Sequence, residues 1–151
     1  MLDLQQFADG KFPKTMSKGH KSSIKKSLRS GLWCITAISL WEFRTFYDGF
    51  TPAPHGDAVY ERLMPYRILG ASFLGRLVAA VLIQIKGDTA VYALSATLPE
   101  FRYLNANHFL LYQFITYPPD GVRYLDLGEV KDSTDPKIQA INQFKKHWGH
   151  I

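Results

Sequence analysis

The sequence predicts an α/β or α+β sandwich, in which a mixed, largely antiparallel sheet carries helices on both faces. Three observations lead there. Helical and extended hydrophobic patterns alternate along the chain, in the order helix, strand, helix, three strands, helix, strand, helix. The runs "YRILGAS", "RLVAAVLIQIK" and "TAVYALSAT" are β-branched and apolar, and Leu74-Gly75 and Gly87-Asp88 separate them, which is the pattern of an antiparallel meander. The middle run, Leu77 to Ile85, is apolar on both alternations, so its strand needs cover on both sides and belongs at the sheet's centre.

Each element has a local reason. Ser22 to Ser30 forms a helix, with Ile24 and Leu28 on one face, lysines on the other and Gly31 in the left-handed position after its end. "LWCITA", Leu32 to Ala37, is a strand. Ser39 and Glu42 form a capping box for a second helix, whose apolar face is Leu40, Phe43, Tyr47 and Phe50. Pro52, Pro54 and Gly56 end it, and Asp57 to Leu63 adds a short third helix. After the meander, Pro99 to Tyr117 is helical through Leu104, His108, Leu111 and Ile115, and Pro118-Pro119 stops it. "VRYLDLG" is a short strand, and the final helix starts near Pro136, whose fixed φ suits a first turn, and runs to about His147.

The 151 residues make one domain, large enough for a genuine core. The single cysteine, Cys34, sits in an apolar run and reads as a packed small hydrophobe. No basic-then-apolar leader opens the chain and no apolar run is long enough to span a bilayer, so a cytoplasmic location is expected. The net charge of +5 is concentrated at one end. Lys11, Lys14, Lys18, Lys21, Lys25, Lys26 and Arg29 follow one another with no acid between them, a field suited to phosphate groups or, alternatively, a solvated helix face. The five histidines are scattered, with no metal-ligand spacing. The sequence also lacks a G-x-S-x-G elbow, a P-loop and a dinucleotide fingerprint, which removes the commonest hydrolase and nucleotide-hydrolysing classes.

An ordered series of motifs remains: "KSSIKKSLRSGL", "GRLVAAVLIQIKGDTAVYALSA", "NANHFLLYQFI", "YLDLGEV" and "INQFKKHWG". Together, over about residues 17 to 149, they resemble the C-terminal acyltransferase domain of the FemABX-like group within the GNAT-like superfamily. The resemblance implies a single GNAT-like domain in which residues 1–16 precede the family-like core. It also implies transfer of an acyl or aminoacyl unit to a primary amine, with acyl-CoA or aminoacyl-tRNA as donor substrate and no firm cofactor. A setting in peptidoglycan or cell-envelope precursor modification would follow from the same branch.

The resemblance further assigns roles. The Phe-Lys pair lies beside the reacting carbonyl in the peptidoglycan-bridge branch, which makes Lys145 the group that stabilises the oxyanion and Phe144 its packing neighbour. The alternative for this pair is a surface lysine beside a core phenylalanine at a helix end. Asp126 or Glu129, at the end of the last strand, would be the general base, or else a loop or cap residue. The pyrophosphate loop of GNAT proteins corresponds to "RYLNAN": Arg102 matches, whereas Asn105 and Asn107 stand where the family has glycine and glycine or alanine. This departure disfavours coenzyme A and favours an aminoacyl-tRNA donor or a site without a donor. Lys18, Lys21, Lys25, Lys26 and Arg29 would then face tRNA or another polyphosphate. The chain stops two residues beyond Gly149, where relatives continue with further strands, so the sheet is expected to be shortened at its C-terminal end. A second copy, a separate subunit or the chain's own N-terminal residues would cover the exposed edge. The rival to the enzyme reading is a non-catalytic module with the same fold and a basic face for nucleic acid or a protein partner.

Overall fold

The computed structural model describes residues 1–50, 53–128 and 131–148. Six strands form one sheet in the order β1-β6-β5-β4-β3-β2. The meander is its centre: β3 (Tyr66–Phe73), β4 (Arg76–Lys86) and β5 (Thr89–Thr97) pair antiparallel along almost their full lengths. The first turn has Leu74 at φ 51° and Gly75 at φ 80°, the doubly left-handed geometry that suits the twist of a tight hairpin. Val78 to Gln84 of β4 is buried without interruption, as its double-sided apolar pattern requires. The polar member, Gln84, donates from Nε2 to the Arg62 carbonyl at 3.0 Å.

Two cores flank the sheet. Alternate residues of β4 divide between them, Val81 and Ile83 facing one side and Ala80 and Leu82 the other. On the first side lie α1 (Lys18–Leu28) and α4 (Ala106–Thr116), contributing Ile24, Phe109, Leu110 and Phe114. On the second lie α2 (Leu40–Asp48) and α3 (Asp57–Leu63), contributing Phe43 and Tyr60. The Ser39 hydroxyl caps α2 by accepting from the Glu42 N–H at 3.1 Å, and Arg44 of α2 is paired to Asp57 of α3 at 2.6 Å. The last helix, α5 (Pro136–His147), begins at Pro136 behind an Asp135 cap.

The sequence-based reading differs from the structure in three places. Helix α1 begins at Lys18 rather than near Ser22, because the Ser17 hydroxyl accepts from the His20 N–H and starts the helix a turn earlier. The segment from Pro99 to Tyr117 is two helices: a 3₁₀ turn over Pro99–Leu104 and then α4, broken at Asn105, which is left-handed at φ 53°. The first sixteen residues are integral to the fold. Leu2, Leu4, Phe7 and Met16 are buried in the larger core, and β1 (Leu2–Asp3) pairs antiparallel with β6 (Tyr124–Asp126). Among the closures expected for the edge strand, the chain's own N-terminal residues are the ones that pair with it.

Candidate active site

The site arises from a split in the sheet. β5 and β6 run parallel and pair only through Thr89, Ala90 and Val91 against Tyr124, Leu125 and Asp126. Beyond that point β5 continues to Thr97 while the other strand ends. The β4–β5 register shifts where Leu82 opposes Leu94 and Ile83 opposes Tyr92, leaving Ala93 as an extra residue. Such a bulge bends its strand and increases its twist, which helps to drive the two parallel strands apart. The gap is a cleft of about 740 Å³ whose floor is Tyr92 to Thr97 and whose far wall is Leu127, Gly128 and α5. Among the described residues no strand pairs with this stretch of β5 on the β6 side, and it lines the cavity.

Four of the residues expected to act at the site line this cleft: Arg102, Asn107, Phe144 and Lys145. Lys145 comes from α5 and reaches back across the end of β6. Its Nζ lies 3.3 Å from the position a β-carbon on Gly128 would occupy, and Gly128 itself has φ 85°. Only glycine meets both demands without strain. Phe144 is half-buried against the larger core, with its ring at 5.0 Å from that of His108 and 6.3 Å from that of Trp148. Trp148, fully buried, anchors the end of α5. The aromatic residues around the Phe-Lys pair in "QFKKHWG" therefore secure the helix that carries Lys145.

The turn expected to meet the donor is left-handed at the first of its two asparagines. Asn105 takes the left-handed conformation for which glycine is the usual choice, and asparagine is among the few other residues that adopt it readily. Asn107 points into the cleft and its Nδ2 donates to Tyr92 Oη at 2.9 Å, while that hydroxyl donates to Ser95 Oγ at 2.5 Å. Burial pushes the Tyr92 phenol above its ordinary value, so it stays a neutral donor. No side-chain hydrogen bond caps the first turn of α4, whose positive dipole end stands beside Arg102 and Asn107 at the cleft.

The carboxylates are placed differently. Asp126 Oδ1 accepts from the Gly128 N–H at 2.8 Å, a local turn that shapes the strand end, and Asp126 does not line the cleft. Glu129 lies outside the described residues. Among the described residues lining the cleft there is no Asp or Glu, while Arg102, Lys131 and Lys145 all line it. The sequence does not single out Lys131, which directly follows the "YLDLGEV" motif. Lys18, Lys25, Lys26 and Arg29 are exposed along α1 and Lys21 is half-exposed; the Ser17 N–H donates to the His147 carbonyl at 3.4 Å, so the start of this basic helix adjoins the Lys145–Lys146 end of α5.

Folding also assembles three scattered histidines. His20 of α1 lies 4.5 Å from His108 of α4 and 5.9 Å from His147 of α5, ring to ring, and packs against Phe144 and Trp148. Burial, reinforced by His108 and His147, lowers His20 to about 3, and burial with His147 lowers His108 to about 4, so both are neutral near pH 7. Among the described residues no group of histidine, cysteine, aspartate and glutamate is arranged to hold a metal ion. None of their helices is long and apolar enough to cross a membrane.

No protein-family model matches the sequence, and no curated protein matches it. Solved structures do match in fold. FemX superposes with a TM-score of 0.67 over 89% of this chain and 54% of its own, at 15% identity. The C-terminal domain of a protein assigned as a lysylphosphatidylglycerol synthetase from Agrobacterium fabrum gives 0.64 over 99% and 55%, at 13% identity. An aminoglycoside antibiotic 6′-N-acetyltransferase from Acinetobacter baumannii gives 0.55 over 80% and 91%, at 15% identity. The chain thus spans about half the length of the first two. With its split mixed sheet and flanking helices, the chain shares the GNAT-like fold of these structures.

Proposed function

We propose that the protein is an N-acyltransferase that moves an acyl or aminoacyl group from a phosphate-bearing carrier, aminoacyl-tRNA or acyl-CoA, to a primary amine. The observation that carries this reading is the placement of Lys145 in the cleft between the separated strands, opposite the Arg102–Asn107 turn. The acyl chain would lie along β5, where no described strand pairs on the β6 side. The amine nitrogen attacks the carbonyl carbon, the oxyanion forms beside the Lys145 ammonium, and the bond to the carrier's oxygen or sulfur then breaks. The nitrogen's proton leaves to the departing group or to water. A preplaced cation at developing negative charge lowers the barrier most where water is excluded, and the half-buried Lys145 meets that condition.

The carrier's phosphates are matched by Arg102, the open first turn of α4 and the basic face of α1, which adjoins the end of α5. Aminoacyl-tRNA uses all three, whereas acyl-CoA needs only the first two. Transfer to a primary amine fits a cell-envelope precursor or a similar amine-bearing acceptor.

The decisive experiment incubates purified protein with radiolabelled acetyl-CoA or aminoacyl-tRNA and a panel of primary amines. Lys145→Ala should keep donor-dependent thermal stabilisation while transfer falls about 100-fold to 1,000-fold. The asparagines at the family's glycine positions, Asn105 and Asn107, favour one second reading, a non-catalytic module that binds the carrier through its basic face. Equal binding by wild type and Lys145→Ala, with no transfer by either, would establish that alternative.

A further inference from the structure

The end of the sheet where β3 turns into β4 presents large apolar side chains to solvent. Leu74 stands at the tip of that hairpin, 88% exposed and left-handed at φ 51°. Asparagine before glycine is the favoured pair for such a turn, so leucine here strains the backbone and recovers little by burial. The tip is open: a β-carbon on the adjacent Gly75 would meet nothing within 4 Å. Trp33 opens the edge strand β2 (Trp33–Ile35), is 76% exposed and pairs with Ser72, two residues before Leu74. The 3₁₀ turn over Pro99–Leu104 reaches the same end, for its Phe101 ring lies 6.0 Å from that of Phe73, and Tyr103 beyond it is 60% exposed.

This end is also cationic. A β-carbon on Gly31 would lie 3.7 Å from the Phe73 ring, which brings the chain just past α1 against the hairpin. Lys26 and Arg29 are exposed at that end of α1, and no Asp or Glu occurs from Gly10 to Trp41. The one acid in the segments 26–33, 72–77 and 99–103 is Glu100, which is paired to Arg76 at 3.5 Å.

We propose that this end docks on an anionic bilayer surface, with Leu74 and Trp33 entering the interfacial layer and Lys26 and Arg29 meeting acidic headgroups. A bilayer offers apolar depth beneath a layer of negative charge, which matches an open apolar tip flanked by cations, and tryptophan favours that boundary. The attachment is peripheral. Arg102, which lines the cleft, directly precedes Tyr103, so docking would bring one end of the cleft to the headgroup layer. The proposal does not depend on the transferase reading.

The test sediments the full chain with vesicles of phosphatidylcholine and phosphatidylglycerol in equal parts, and with phosphatidylcholine alone, while thermal unfolding of each variant is recorded. Wild type should bind the anionic vesicles at least about tenfold more tightly than the neutral ones. Leu74→Asn suits the left-handed turn, so it should unfold no lower than wild type and yet bind about tenfold more weakly. Trp33→Gln should weaken binding by a similar factor, and Arg29→Gln about fivefold on anionic vesicles only. Failure of wild type to sediment with the anionic vesicles would overturn the proposal. Leu74→Asn and Trp33→Gln binding as wild type does would also overturn it, because the basic helix alone would then be adsorbing. Self-association of the wild type in sedimentation velocity, lost in Leu74→Asn and with no vesicle binding, would make the tip an interface between copies instead.

Discussion

The central meander and the α5 wall face each other across the cleft and are held in opposite ways. β4 is covered on both faces, hydrogen-bonded on both edges and buried from Val78 to Gln84. Helix α5 buries none of its own residues fully and is fixed at a few points: Trp148 just past its end, Phe144 packed on the core, and the polar clamps of Asn142 and Gln139. Among the described residues, the cleft therefore combines a doubly covered floor with a wall held by side chains at intervals along α5. Such a wall can adjust to a ligand, and its own stability lies at the low end of the molecule's range. Lys145, to which the proposed reaction gives the oxyanion, is carried on that wall.

The contrast can be broken first at the floor. Leu82→Ala should destabilise the whole domain by about 2–5 kcal/mol, since the side chain is fully buried at the centre of the sheet. Denaturant unfolding should show this as a lower midpoint common to all probes. Trp148→Ala removes a side chain equally buried, yet its effect should stay local. Amide exchange is expected to accelerate over residues 136–148 while β4 keeps its protection, and matching losses in both regions would show that the wall is part of the cooperative core.

Acid should loosen the wall before the floor. The folded values of His20 and His108 lie below the ordinary 6.5, so the unfolded or detached state binds more protons between the two. Their contribution is complete above about pH 6.5. It is lost as pH falls towards about 4 for His108 and about 3 for His20, each unit of separation being worth about 1.4 kcal/mol at most. The groups facing His20 are His108 from α4 and His147 from α5, so protonation also sets like charges together. His20→Phe should give a shallower decline of stability with acid, and an unchanged slope would exclude the cluster as its source.

The smallest effect on folding sharpens the comparison most. Gly128→Ala forces a side chain into a left-handed position at about 1–2 kcal/mol. Its β-carbon would press on Lys145 Nζ, so transfer should fall more than stability predicts. Equal losses in the two would mean that the ammonium's position at the strand end is immaterial.

Much of this was legible beforehand where the information is local. The meander, its two turns, the Ser39 cap and the Pro136 start follow from patterns within a few residues, and each is found where the pattern puts it. The resemblance points to Lys145, Phe144, Arg102 and Asn107, and the fold brings them to one cleft. Asp126 stands at a strand end, and its carboxylate accepts from the Gly128 N–H in the turn that follows. The histidine cluster gave no signal, because His20, His108 and His147 are far apart in sequence and only the packing of three helices joins them.

Hydrophobic period, caps and turn residues, read in order, determined which elements form and that a sheet with helices on both faces would bury them, since those preferences act over one or two turns of chain. Tertiary structure alone decided where the sheet opens, that Leu2 and Asp3 close the edge strand, and that Asn142 holds the Lys131 backbone against α5. These depend on the register of strands distant in sequence and on single side chains reaching across loops, and no local pattern encodes such distances.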